Sequence, residues 1–307
     1  MEHLLKSAAA KGFLLTLLLL FAAIACRAQS AASETPDYIL RSGGMERTYK
    51  LHLPAGLPEN APLVVVLHGY GGNNDPDRFA MNATADRFAM NATADRHGFA
   101  VCYPQGAKDG RGKNCWNVGY PFQADMTVDD VRFLTELVRH LQKKHGLSRH
   151  NVFCTGMSNG GEMCYQLAAQ RPELFAAVAP VSGLMLDWLY KEDRSTAPVP
   201  LFEIHGTEDK TSAWLGDPQN KGGWGAYLPV PLAVHYWAAK NRCTVMQTDT
   251  LPAKAPGGRT VIAHRFTGGT GGSEVWLYEI VGGKHSWGEQ DIDTGEELWK
   301  FFSRFVK

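Results

Sequence analysis

Residues 151–170 read NVFCTGMSNGGEMCYQLAAQ, an apolar β-type run followed by a helical one, with Ser158 at the joint between Gly156 and Gly160. A serine at such a joint has two readings. It is a common helix N-cap, its hydroxyl accepting a backbone N–H two or three residues on. It also suits a nucleophile held on a strained strand-to-helix turn, where small neighbours are needed. The cap reading says nothing about distant residues. The nucleophile reading demands further loops in a fixed order, so the rest of the chain decides between them.

Working outward, buried strands alternate with helices. The runs RTYKLHLP (47–54), APLVVVLHGYGG (61–72), GFAVCYPQG (98–106), FAAVAPVSG (175–183), VPLFEIHGTED (199–209) and SEVWLYEIVGG (273–283) have the continuous or alternating apolar character of strands. The stretch 127–146 is helical, with Val128, Val131, Phe133, Leu134, Leu137, Val138 and Leu141 on one stripe and Gly146 as its stop. Helices also follow at 160–172, 231–241 and 295–306. This alternation predicts an α/β fold, a mostly parallel central sheet with helices on both faces. No Pro/Ser-rich linker divides it, so residues 34–307 are read as one domain. Ligands of such sheets sit beyond the carboxyl ends of the strands. The unusual loops HGYGG, GMSNGG, HGTED and GGKHSW all follow strands.

The chain has 307 residues, 44% hydrophobic and 20% charged, with a formal net charge of zero. There is no basic stripe to suggest nucleic acid, and neutral or weakly charged substrates are expected. Residues 1–28 read as a secretory signal. Lys6 and Lys11 precede an apolar run of about 13 residues and a small-residue cleavage site ending at Ala28. That run is shorter than the ~20 residues of a membrane span, so export without an integral span is expected, with lipid attachment at Cys26 as the alternative. Of six cysteines, Cys154 and Cys164 read as small buried hydrophobes, and Cys115 with Cys243 as disulfide candidates. No Cys/His spacing suggests a metal. RFAMNATAD occurs twice in tandem, at 78–86 and 87–95. At ~100° per residue nine extra residues turn a helix by about half a revolution, so one copy is expected to bulge or break.

A serine hydroxyl attacks only when a base takes its proton, and the base must be oriented by a carboxylate. On a strand–turn–helix nucleophile the order along the chain is serine, acid, histidine. Asp209, with Glu208 as fallback, lies directly beyond an apolar strand, whereas Asp187, Asp193 and Asp217 lie in less regular surroundings. His235 falls in a helical pattern and His264 in a strand-like one, which leaves His285, in the loop past the last strand. The oxyanion donors are then the backbone N–H groups of Asn159, next after the nucleophile, and Tyr70, in the loop after the earlier strand. His68 and His205 read as satisfied loop histidines, and Asp129 and Asp130 as loop ties. The constellation calls for no metal and no cofactor.

Taken together, LHGYGGN, YPQG, CWN, DDVRFL, GMSNGG, PVSG, HGTED and GGKHSWG resemble the secreted esterases of the polyhydroxybutyrate depolymerase-like group, which includes the feruloyl and acetylxylan esterases of carbohydrate esterase family 1. The resemblance covers residues 37–306, and the segment 216–244 looks especially like plant-biomass esterases of gut and rumen bacteria. It implies an α/β-hydrolase with Ser158, Asp209 and His285 as its triad. The duplicated nonapeptide is extra, and HSWG stands where His-Thr-Trp-Pro is usual.

Trp116, Trp214, Trp224 and Trp287 fall in loops on the catalytic side and are candidate contacts for a sugar ring or cinnamoyl group, Trp287 foremost because it lies two residues from His285. Trp188, Trp237, Trp276 and Trp299 lie in helix or strand patterns. The expected function is a secreted serine esterase acting on feruloyl or acetyl esters of plant polysaccharide. The alternatives are a polyhydroxybutyrate (polyester) depolymerase, a prolyl-oligopeptidase-like peptidase and a non-catalytic carbohydrate-binding protein.

Overall fold

The computed structural model describes residues 37–75 and 90–307. The leader and its Cys26, and residues 78–89 of the tandem repeat, lie outside the described residues. Twelve strands are described. Ten form one sheet, in the order β1 (Asp37–Ser42), β2 (Met45–His52), β4 (Ala100–Pro104), β3 (Leu63–Leu67), β7 (Val152–Met157), β8 (Ala177–Val181), β9 (Leu201–Gly206), β12 (Val275–Ile280), β11 (Val261–Thr267), β10 (Val245–Leu251). The six from β4 to β12 run parallel, and antiparallel pairs close both edges. The short hairpin β5 (Ala107–Lys108) and β6 (Asn114–Cys115) stands apart.

The parallel strands β3, β4, β7, β8 and β9 are buried along their whole length, which is why their sequences are mostly apolar, with Thr155 in β7 and Glu203 and His205 in β9 as buried polar exceptions. Alternate residues enter two core layers. Leu63, Val65 and Leu67 pack with α2 (Asp130–His145), α3 (Asn159–Gln170) and α5 (Val230–Lys240). Val64 and Val66 face the layer of α1 (Met90–His97) and α6 (Thr294–Phe302). A short helix, α4 (Asp187–Glu192), follows β8. Helix α2 is capped by Asp129, whose carboxylate accepts the Arg132 N–H at 2.8 Å, and ends at Gly146 in the left-handed region. Asp130 is buried against Arg47 at 2.7 Å and accepts the Asn117 N–H at 2.7 Å, so both acids tie loops and termini as expected.

Strands β1 and β10 did not announce themselves. Strand β10 is exposed along nearly its whole length and carries Gln247, Thr248 and Asp249, so no buried face imposed a pattern. The disulfide expectation is corrected. Cys115 is buried beside Met126 and accepts the Gln123 amide at 3.2 Å, while Cys243 lies against the Ser273 carbonyl, and both are free thiols. Cys154 and Cys164 are buried as expected, their sulfurs 3.6 Å apart. No helix among the described residues is long and apolar enough to cross a membrane.

Candidate active site

Ser158 stands at the N-cap position of α3, its carbonyl accepting the Glu162 N–H at 3.0 Å, but its side chain does no capping. Its backbone has φ 56° and ψ −123°, far from the extended geometry of a cap, and its side chain makes no cap hydrogen bond to helix α3. A non-glycine residue held in so sparsely populated a backbone region costs of order 1–3 kcal/mol, and here the surrounding contacts impose it. The Ser158 N–H donates to the Val181 carbonyl at 2.9 Å, anchoring the turn to the end of β8. The flanking glycines are required by space. A Cβ on Gly156 would lie 2.5 Å from the Gly160 carbonyl, and one on Gly160 would lie 2.5 Å from the Leu67 carbonyl oxygen. The turn is therefore wedged between β7 and the end of β3, with the half-buried serine at its crest.

The loop after β3 passes beside it. A Cβ placed on Gly69 would meet the Ser158 Cβ at 3.4 Å, which puts the Tyr70 backbone next to the serine. Among the described residues neither the Tyr70 N–H nor the Asn159 N–H has a protein acceptor. His68 sets this loop. Its Nε2 accepts the Gly106 N–H at 2.9 Å, which leaves the proton on Nδ1 to bond the Gly69 carbonyl at 2.8 Å. Burial lowers its pKa to about 4, so the ring is neutral.

Asp209 and His285 meet across the sheet ends. Asp209 Oδ2 lies 2.6 Å from His285 Nδ1, and Oδ1 accepts the Thr211 and Ser212 N–H groups, each at 2.8 Å. Burial by itself would raise the Asp209 carboxyl. The His285 bond, the charges of His285 and His205 and the Ser212 N–H outweigh it and hold the pKa below the ordinary carboxylate value. Glu208, the fallback acid, has an exposed side chain, and its backbone N–H binds the Gly283 carbonyl. The His285 loop is tied to the neighbours of Ser158: the Ser182 hydroxyl, one residue beyond the carbonyl that holds Ser158, donates to the Ser286 carbonyl at 3.1 Å. Ser182 is itself left-handed, at φ 47°. Sequence reading passed over it, although the motif PVSG contains it.

The tryptophans divide differently from expectation. Trp116 is fully buried, its indole N–H donating to the His68 carbonyl at 2.9 Å. Its backbone is pinned by the Asn159 side chain, which accepts its N–H at 2.7 Å and donates to its carbonyl at 3.1 Å. Trp287 is only 2% exposed and packs in the layer containing Ile204, Ile280 and Ile292. Neither offers a face to substrate, which corrects both assignments. Trp214 is half-buried, 6.0 Å from the His205 ring, and lines a small cavity of about 140 Å³ with Val234, Phe266 and Leu277. Trp224 alone joins an accessible aromatic group, edge-on to Tyr70 at 5.4 Å and to Phe122 at 5.8 Å. Arg111 lies over the Phe122 ring at 3.9 Å, and the Tyr70 hydroxyl donates to Asp109 at 2.6 Å. Phe122 and Arg111 gave no sequence signal, since they lie outside every strand-end motif.

Residues 47–195 match the family described as esterase PHB depolymerase. A relative described as the putative esterase NocK of Nocardia uniformis subsp. tsuyamanensis is 31% identical over 261 residues, covering 80% of this chain and 71% of that protein. The chain belongs to the PHB depolymerase esterase family. As a member it is a carboxylic ester hydrolase. A second relative, the bifunctional acetylxylan esterase/xylanase XynS20E of Neocallimastix patriciarum, is 30% identical over 169 residues, which are 55% of this chain and 22% of that protein. Among solved structures, the acetyl xylan esterase from Aspergillus awamori superposes with a TM-score of 0.61 at 18% identity, covering 88% of this chain and all of the other. That likeness is one of fold, the α/β-hydrolase architecture with a mostly parallel central sheet and helices on both faces.

Proposed function

We propose that this esterase is exported and removes acyl groups, feruloyl or acetyl, from plant cell-wall polysaccharide by way of an acyl-enzyme. Ser158 attacks the ester carbonyl as His285 Nε2 takes its proton, while Asp209 fixes the tautomer through Nδ1. The Tyr70 and Asn159 N–H groups receive the oxyanion, each contributing about 3 kcal/mol to the barrier reduction. His285 then protonates the leaving alcohol, and water releases the acid. The observation that carries this reading is the strained Ser158 turn with its hydroxyl free of any cap bond, in a chain whose Asp209 carboxylate engages His285. The half-buried aromatic group of Tyr70, Phe122 and Trp224 supports a planar or ring-bearing substrate. Export rests on residues 1–28.

Ser158→Ala is expected to abolish turnover of p-nitrophenyl acetate with the thermal midpoint retained. Parental turnover by that variant would remove the assignment. A panel of methyl ferulate, acetylated xylan and polyhydroxybutyrate film decides the substrate. Clearing of the film in place of release from xylan would favour the polyester reading, which the family description supports.

A further inference from the structure

Behind Asp209 lies a buried histidine that the three-residue mechanism does not use. His205, on β9, has no solvent exposure, and both ring nitrogens face acceptors. Nε2 is 2.8 Å from the Ser212 carbonyl, which can only accept, so Nε2 carries a proton. Nδ1 is 2.8 Å from Glu203 Oε1. Glu203 in turn receives the Tyr165 hydroxyl at 3.0 Å and the Gly183 N–H at 3.3 Å. Donors converging on both its oxygens favour the carboxylate, and a carboxylate there requires a proton on Nδ1 as well. The ring with two protons is an imidazolium, and its Nε2 is 3.7 Å from Asp209 Oδ2, the oxygen that engages His285.

We propose that His205 is a positioning residue: held as an imidazolium by Glu203, it keeps Asp209 ionised and aims Oδ2 at His285. The proposal rests on the catalytic reading of Asp209 and His285 given above. Burial opposes a charged His205, and the Glu203 carboxylate, the Ser212 carbonyl and Asp209 together outweigh it, raising its pKa. Burial raises the Glu203 carboxyl above its ordinary value, and the bonds from His205, Tyr165 and Gly183 offset that only in part. The other groups facing this pair are Glu162 on α3, whose carboxyl burial keeps neutral at pH 7, and Glu279 on β12, which is engaged by His264 at 3.0 Å. The Trp214 ring closes the remaining side. Sequence reading weighed His205 as a satisfied loop histidine; it is satisfied, with Glu203 and Ser212 on its two nitrogens, and the proposed charge is what that pairing with a carboxylate entails.

Two measurements on the full chain test this. Nitrogen-15 spectra of the histidine rings, assigned through His205→Gln, are expected to show both His205 nitrogens protonated at pH 8, with the second proton lost at lower pH in Glu203→Gln. In His205→Gln the acid limb of kcat/KM for p-nitrophenyl acetate is expected to move up by about 0.5–1 pH unit, because a positive charge near the catalytic imidazole is gone. Its kcat is expected to fall about tenfold with KM nearly unchanged, as expected when orientation of the base is lost. A singly protonated His205 at pH 8 in the parent would overturn the proposal, as would an unmoved acid limb in a folded His205→Gln. The spectra judge His205 even if that variant does not fold. They are also independent of turnover, so failure of the Ser158 assignment would be seen separately, in the activity of Ser158→Ala.

Discussion

Asp209 and His285, separated by 76 positions in the chain, share a 2.6 Å contact between a carboxylate held by two backbone N–H groups and an imidazole at the opposite loop. The bond leaves Nε2 of His285 as the nitrogen available to a substrate-side proton. Asp209→Asn is expected to lower kcat about 10³–10⁴-fold, because an amide stabilises the wrong tautomer and not the imidazolium. Glu208→Gln, altering an exposed neighbour, is expected to leave turnover of p-nitrophenyl acetate within about twofold. Equal losses in the two variants would count against Asp209.

Gly160 and Leu67 define the second relationship. A methyl group on Gly160 would stand 2.5 Å from the Leu67 carbonyl oxygen and 2.8 Å from that of His68, both backbone atoms that have no room to retreat. Gly160→Ala is expected to destabilise by about 1–3 kcal/mol or more, read as a lowered thermal midpoint. Gly110, whose added Cβ would meet nothing within 4 Å, is the control and should tolerate alanine.

Stability should vary with pH in two opposed ways. His68 has its pKa lowered to about 4, so on acidification the unfolded chain takes up a proton that the folded protein refuses. Its contribution is full above about pH 6.5 and is lost as pH falls toward 4, at about 1.4 kcal/mol per unit. Glu162 has its pKa raised to about 8 by burial, so the folded protein keeps a proton that the unfolded chain releases above about pH 4.5. Its contribution is full at acid pH and is lost as pH rises to 8. Glu162→Gln should therefore raise the denaturation midpoint at pH 8–9 and leave it near parental at pH 4. A constant offset at all pH values would contradict this.

Trp224 and Trp287 should separate binding from folding. Trp224→Ala removes a ring from the accessible group around Tyr70 and Phe122, and is expected to raise KM for an aryl ester about three- to tenfold with a small change in thermal midpoint, since an aromatic contact is worth about 0.5–1.5 kcal/mol. Trp287→Ala empties a core position and is expected to cost about 3–5 kcal/mol of stability. Steady-state kinetics beside thermal melts would show whether the two effects divide in this way.

The strands β3, β4, β7, β8, β9 and β12 were legible because each is largely buried and so carries a predominantly apolar run, broken only by residues such as Glu203, His205 and Glu279. The placement of Ser158, Asp209 and His285 at strand ends was legible for a related reason: a polar residue directly beyond such a run must lie at the end of a strand. Local chemistry therefore sufficed for the parallel core and for the choice of candidate nucleophile, acid and base. The chain itself did not reveal which way a loop side chain points. Trp116 and Trp287 looked like site residues and turned into the core, and Cys115 and Cys243 looked pairable and lie against different partners. Orientation in a loop depends on what the rest of the fold leaves unfilled, a property of packing among residues far apart in sequence. The charge on His205 is of the same kind. Its spacing in HGTED is visible to any reader, but a proton on both nitrogens follows only from Glu203 and Ser212 closing on it from two sides.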